Sequence, residues 1–282
     1  MPWTKPFHNS GLNLYFCSMI RKPVIYLVLL LSTVIISCSP YQKLLKGSDN
    51  ELKYTKALEY YEKGNYVQAQ QLFEQISAFF KGTDKAEKIA YYNASTYYKQ
   101  KDYILGGYYF KAFATNFSTS VFAEEALYLS AYCSYLDSPR YSLDQTSTTD
   151  AISSLQIFIN QYPKSARVSE CNKLIDELRA KLEKKDIEIA MLYYKMSDYK
   201  ASVVSLGNVL KDYPDTKSKE LILYSILEAR YQYAINSIFE KRQERLRMAL
   251  DSYDELVAGF PVGEFTDQAL AIKKNINKEI KN

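Results

Sequence analysis

The residues of this chain that could carry covalent or acid–base chemistry are few, and their positions exclude most of it. The only histidine is His8 and the only tryptophan is Trp3. Both precede an apolar run at 24–36, and no imidazole follows it. Ser–His and Cys–His nucleophile pairs and His-ligated metal sites therefore have no partner in the rest of the chain. No glycine-rich phosphate loop is present. The carboxylates are scattered, which gives no support to a paired-carboxylate glycosidase. The reading is non-enzymatic, with no cofactor and no metal. What remains is one cysteine placed for covalent modification, Cys38, and 27 tyrosines suited to recognition.

Cys38 stands behind Ser37 at the end of the apolar run VIYLVLLLSTVII, residues 24–36, which itself follows Met19-Ile20-Arg21-Lys22. A basic start and an apolar core of 13 residues suit a signal segment and are short for a membrane span. Aliphatics, a small residue and then Cys resemble the bacterial lipobox, at which the cysteine is lipidated and becomes the N-terminus. A plain N-terminal anchor helix is the alternative. Residues 1–18 are polar and aromatic and read as an upstream extension, 19–37 as a lipoprotein signal peptide, and 38–50 as a lipidated tether. Acyl chains hold a protein to a bilayer by roughly 0.8 kcal/mol per buried CH₂. Position 39 is Ser and not the Asp that resembles an inner-membrane retention signal, so the expected site is the outer membrane. Residues 1–37 carry Lys5, Arg21 and Lys22 and no acid, so removing them leaves 33 of the 36 basic residues against 32 acidic ones. No basic footprint for nucleic acid results.

The elements that must present the tyrosines come from an internal repeat. Tyr54, Ala57 and Tyr61 recur 37 residues later as Tyr91, Ala94 and Tyr98, and again as Tyr128, Ala131 and Tyr135. Weaker copies are Ile187, Ala190, Tyr194 and Ile226, Ala229, Tyr233. Offsets of three, four and seven lie on one helical stripe. Each unit closes on a second phrase: ISAFFKGT (76–83), FATNFSTS (113–120), FINQYPKS (158–165), VLKDYPDT (209–216) and LVAGFPVG (256–263). Pro163, Pro214 and Pro261 end second helices there. Between the phrases, a turn precedes a small residue with a large one four positions on: Ala69 and Phe73, Gly106 and Phe110, Ser202 and Leu206. The spacing predicts an all-α chain, a tetratricopeptide-type helical-hairpin solenoid of about five repeats. A loop at 136–150 interrupts the third unit, and long helices are expected near 166–184 and 219–248.

Together the lipobox Cys38, the unit count, the LDSPRYSLDQT loop and the VLKDYPDT closure resemble the BamD family, the tetratricopeptide lipoproteins of the β-barrel assembly machinery. The resemblance covers nearly all of 50–282. It implies a lipid-anchored protein on the periplasmic side of the outer membrane. Its N-terminal repeats, 51–165, would engage unfolded outer membrane proteins, and its C-terminal repeats, 166–282, would dock on the core barrel-insertion subunit. Two other readings share parts of the pattern: a generic periplasmic scaffold and a glycan-binding surface lipoprotein. The latter needs large inserted regions for which this chain has no room.

Stacked first helices line the concave side of such an array. Tyr54, Tyr61, Tyr91, Tyr98, Tyr128 and Tyr135 are therefore a candidate partner-binding groove, or else inter-helix packing. In pairs such as Tyr97-Tyr98, Tyr108-Tyr109 and Tyr193-Tyr194, adjacent side chains diverge by about 100°, so one should face the core and the other a groove or solvent. The charged stretch Asp176 to Asp186 reads as a docking surface or a solvated helix face. Cys133 and Cys171 are either a disulfide or two separately buried thiols.

Overall fold

The computed structural model describes residues 40–281; Cys38 and the segments 1–18 and 19–37 lie outside them. The described residues form twelve α-helices and no strand, and they divide into two compact units that separate between Thr83 and Asp84.

In the first unit, α1 (Pro40–Lys46) precedes the hairpin α2 (Asn50–Glu62) and α3 (Tyr66–Ser77). The expected tether thus contains a helix. The Tyr41 hydroxyl donates to Gln71 Oε1 at 2.7 Å, and the nearly buried Lys53 donates to Leu45 O and Gln75 Oε1.

The second unit holds the hairpins α4 (Asp84–Lys99) with α5 (Tyr103–Asn116), α6 (Ala123–Asp137) with α7 (Thr146–Gln161), α8 (Val168–Lys195) with α9 (Tyr199–Asp212), and α10 (Lys219–Ile235) with α11 (Phe239–Gly259). A final helix, α12 (Thr266–Lys281), packs on α10 and α11. Each helix of this unit packs mainly on its neighbours in sequence, as in a tetratricopeptide-type repeat array.

The small-residue positions explain the close packing. Ala57, Ala94, Ala131, Ala190 and Ala229 are all buried, as are Phe73, Phe110 and Leu206. A Cβ at Gly106 would come within 3.2 Å of Tyr98 N, and one at Gly107 within 3.2 Å of Cys133 Cβ. This pair lets α5 approach both α4 and α6, and Ser130 Oγ donates to Gly107 O at 2.8 Å. The turns inside the hairpins need a left-handed residue: Gly64 in the first, but Lys101 and Ser197 in their equivalents. The next residues, Asp102 and Asp198, cap α5 and α9 by accepting from Leu105 N and Ala201 N. The closing aromatics Phe117, Tyr162, Tyr213 and Phe260 sit at helix C-caps, with backbone N–H groups returned to the last turn.

Three boundaries differ from the expectation. The loop expected at 136–150 is confined to 138–145, because the first helix of that hairpin runs to Asp137 and the second begins at Thr146. The helix expected at 166–184 runs on to Lys195, because nothing between Lys184 and Ile187 breaks or caps it. The helix expected at 219–248 is two helices. Ser237 Oγ donates to Tyr233 O and accepts from Arg245 Nη1, while Arg242 Nη2 donates to Ile235 O, and Ile238 is extended. These bonds satisfy the end of α10 and turn the chain.

Candidate functional site

The candidate tyrosines are packing residues first. In the first unit, Tyr54 lies 5.9 Å from the Phe80 ring and Tyr61 lies 5.5 Å edge-on to Tyr66. Both are half-buried. In the second unit, Tyr91 sits among Phe110, Phe113 and Phe122, and it stacks on the last at 4.9 Å. Tyr98 lies between Tyr103 and Phe110.

Tyr128 corrects the expectation most clearly. At 4% exposure it belongs to the core, with the Arg167 guanidinium 4.1 Å above its ring, and it cannot line a groove. Tyr135 is half-buried. Between them Tyr132 completes a stacked column, with centroids 5.8 Å from Tyr128 and 5.7 Å from Tyr135. The sequence reading missed Tyr132, although its place four after Tyr128 and three before Tyr135 puts it on the same stripe.

Two hydroxyls of this column, those of Tyr128 and Tyr135, are tied to carboxylates on the next first helix. Tyr135 donates to Glu177 Oε2 at 2.7 Å, and this bond, with burial and the Glu177 charge, pushes its pKa up to about 12. Burial and then Glu170 raise Tyr128. In the fourth hairpin, burial and then Glu228 on α10 raise Tyr194 to about 12. Tyrosine on one first helix bonded to an acid on the next is thus a recurring stitch between repeats. It leaves the rings, not the hydroxyls, to face a partner.

Part of the charged stretch on α8 is used internally. Lys181 Nζ donates to Ser138 Oγ at 2.7 Å, Lys185 Nζ donates to Leu143 O at 2.7 Å, and Lys184 lies 4.5 Å from the Tyr141 ring. Burial lowers the Lys181 pKa. Asp186 accepts from the Tyr213 hydroxyl and Glu183 from Thr216 Oγ1. The 138–145 loop is stiffened from within by Gln145, whose amide donates to Arg140 O and Leu143 O. Lys181, Glu183, Lys185 and Asp186 clamp the loop and the next hairpin to α8, while Asp176, Arg179 and Lys184 are exposed, as on a solvated helix face.

Cys133 and Cys171 are free and buried. Burial pushes Cys133 up to about 12 and Cys171 to about 11, so both thiols are inert at neutral pH. Of the tyrosine pairs, Tyr97 is buried beside the half-buried Tyr98, and exposed Tyr108 stands beside the half-buried Tyr109, which stacks on Tyr97 at 5.0 Å. Among the described residues, no cluster of three or more His, Cys, Asp or Glu side chains could hold a metal ion. Among them too, no helix is long and apolar enough to cross a membrane.

The class defined by this fold and its stitched aromatic helices is a helical-hairpin repeat protein. Residues 46–246 match the YfiO family, described as outer membrane lipoproteins, and the chain belongs to that family. No curated protein matches the chain.

Proposed function

We propose that this chain is a non-enzymatic, lipid-anchored subunit of the machinery that assembles β-barrel proteins in the outer membrane, acting on the periplasmic side. In this reading Cys38 carries the lipid, residues 51–165 receive unfolded barrel proteins, and residues 166–282 dock on the core barrel-insertion subunit. The observation that carries the reading is the match to an outer membrane lipoprotein family over 46–246. An array of helices with half-buried aromatic rings supports protein recognition, since Tyr offers contact area at small rotamer cost. Tyr54, Tyr61, Tyr91, Tyr98 and Tyr135 remain the candidate contacts for substrate.

The test is purification of the native complex from membranes. The core barrel-insertion subunit should co-purify, and the intact mass should correspond to a chain beginning at Cys38 plus lipid. Recovery without any barrel-assembly component would leave a generic periplasmic scaffold as the better description.

A further inference from the structure

In the first unit a groove of about 430 Å³ runs between α1 and α2. One wall is the face of α1 that carries Pro40, Lys43 and Leu44. The other is the stripe Leu52, Lys56 and Tyr60 of α2, with Lys63 at its C-cap. Pro40, Leu44, Tyr60 and the 47% exposed Leu52 give the groove apolar surface, and the three lysines add charge beside it.

α1 is pinned along the hairpin at both ends. The Tyr41 hydroxyl donates to Gln71 Oε1, and its ring stands edge-on to Tyr60 at 5.4 Å. At the other end Lys53 Nζ donates to Leu45 O at 3.0 Å. This pinning decides how far the unit can stand from Cys38. An extended tether over residues 38–50 would reach about 40 Å. With α1 docked, only the two steps from Cys38 to Pro40 remain, and they reach at most about 7 Å. The headgroup layer on one side of a bilayer is itself about 5–8 Å thick. A lipid on Cys38 therefore holds Pro40, and the end of the groove that it lines, at the level of the headgroups.

Given the lipid that the proposed function places at Cys38, we propose that the α1–α2 groove is seated on the bilayer surface, its apolar wall against the upper acyl chains and its lysines among the lipid phosphates. The reach of the chain names the occupant, and the chemistry of the groove agrees with it. Leu44, Leu52 and the Tyr60 ring offer apolar area at the depth where an interface accepts it. Lysines bury their stems there and keep their ammonium groups among the headgroups. α1 carries Lys43 and Lys46 and no acid. Of the two acids in the groove, Asp49 caps α2 by accepting from Leu52 N, and Glu59 is held between Lys56 and Lys63 at 2.6 Å from each. The attachment then has two points. The lipid fixes the position of the first unit, and the groove fixes which of its faces meets the membrane.

The test reconstitutes the full mature chain in vesicles of phosphatidylethanolamine and phosphatidylglycerol whose acyl chains carry bromine, a quencher of tryptophan. No tryptophan follows residue 37, so Leu52→Trp gives the mature chain a single fluorophore. Its emission should shift to the blue and fall about twofold or more against unbrominated vesicles, and adding Lys43→Glu with Lys63→Glu should recover most of that loss. Lys56→Trp, on the same stripe, takes the place of Leu52→Trp if the latter does not fold. Intact mass separates the groove from the anchor. A chain that carries the lipid and is not quenched overturns the seat and leaves the anchor standing, and so does quenching that survives the charge reversal. A mass without lipid removes the anchor, and the seat with it.

Discussion

The two halves of α8 carry the same kind of apolar line and meet opposite fates. Leu178 and Leu192 lie on one face of one helix, fourteen residues apart, yet Leu178 is fully buried and Leu192 is 54% exposed. Composition does not separate them. The difference is supplied by α7, which runs alongside the first half and not the second. A helical stripe thus records what a helix is able to pack against, while its neighbours decide whether that face stabilises the fold or stays exposed.

The sharpest test of this contrast is truncation on the covered half. Leu178→Ala should cost about 2–5 kcal/mol, read as a lowered denaturation midpoint, because the surrounding core relaxes only partly around the lost volume. A cost below about 0.5 kcal/mol would mean that the two halves are not different. The face of α8 turned to α9 is probed next. Ala190→Leu should overpack the fourth hairpin and cost about 1–3 kcal/mol in the same measurement, since Ala190 has no exposed surface.

Both halves share the tyrosine–carboxylate stitch, and pH tests it. Tyr135 and Tyr194 are each raised from 10 to about 12. The folded state therefore holds these protons more tightly than the unfolded one. The stability they add is complete below pH 10 and is lost as the pH rises from 10 toward 12. Denaturation midpoints should fall across that window, and the fall should be shallower in Tyr135→Phe. An equal slope in the variant would remove the stitch from the account. The smallest effect is expected on the bare half: Leu192→Ala should leave the midpoint within about 0.5 kcal/mol, as exposed positions generally do.

The repeat was legible because its signal is local. Ala57, Ala94, Ala131, Ala190 and Ala229 recur at helical offsets from large residues, and all are buried as the spacing requires. The closing aromatics and prolines marked helix ends because the C-cap conformation is set within a few residues. Other features depended on distant groups. The break at Ser237 is secured by Arg242 and Arg245 of the following helix, whose bonds to Ile235 O and Ser237 Oγ form only once the chain has turned there. The charged run on α8 looked like any solvated face, because the loop residues Ser138 and Leu143 that occupy Lys181 and Lys185 lie 43 and 42 positions earlier.

For the tyrosines the division is the same. Their stripe, and hence their common side of each first helix, follows from the 3.6-residue period and belongs to the sequence. Which of them are swallowed by the core and which keep a free edge was decided by the tertiary structure. Tyr128 is enclosed by Phe158, Tyr132 and Arg167, contributed from three helices or their ends. The period of a helix fixes direction about its own axis, whereas burial depends on what other segments bring to that direction, and those contacts form only when the hairpins stack.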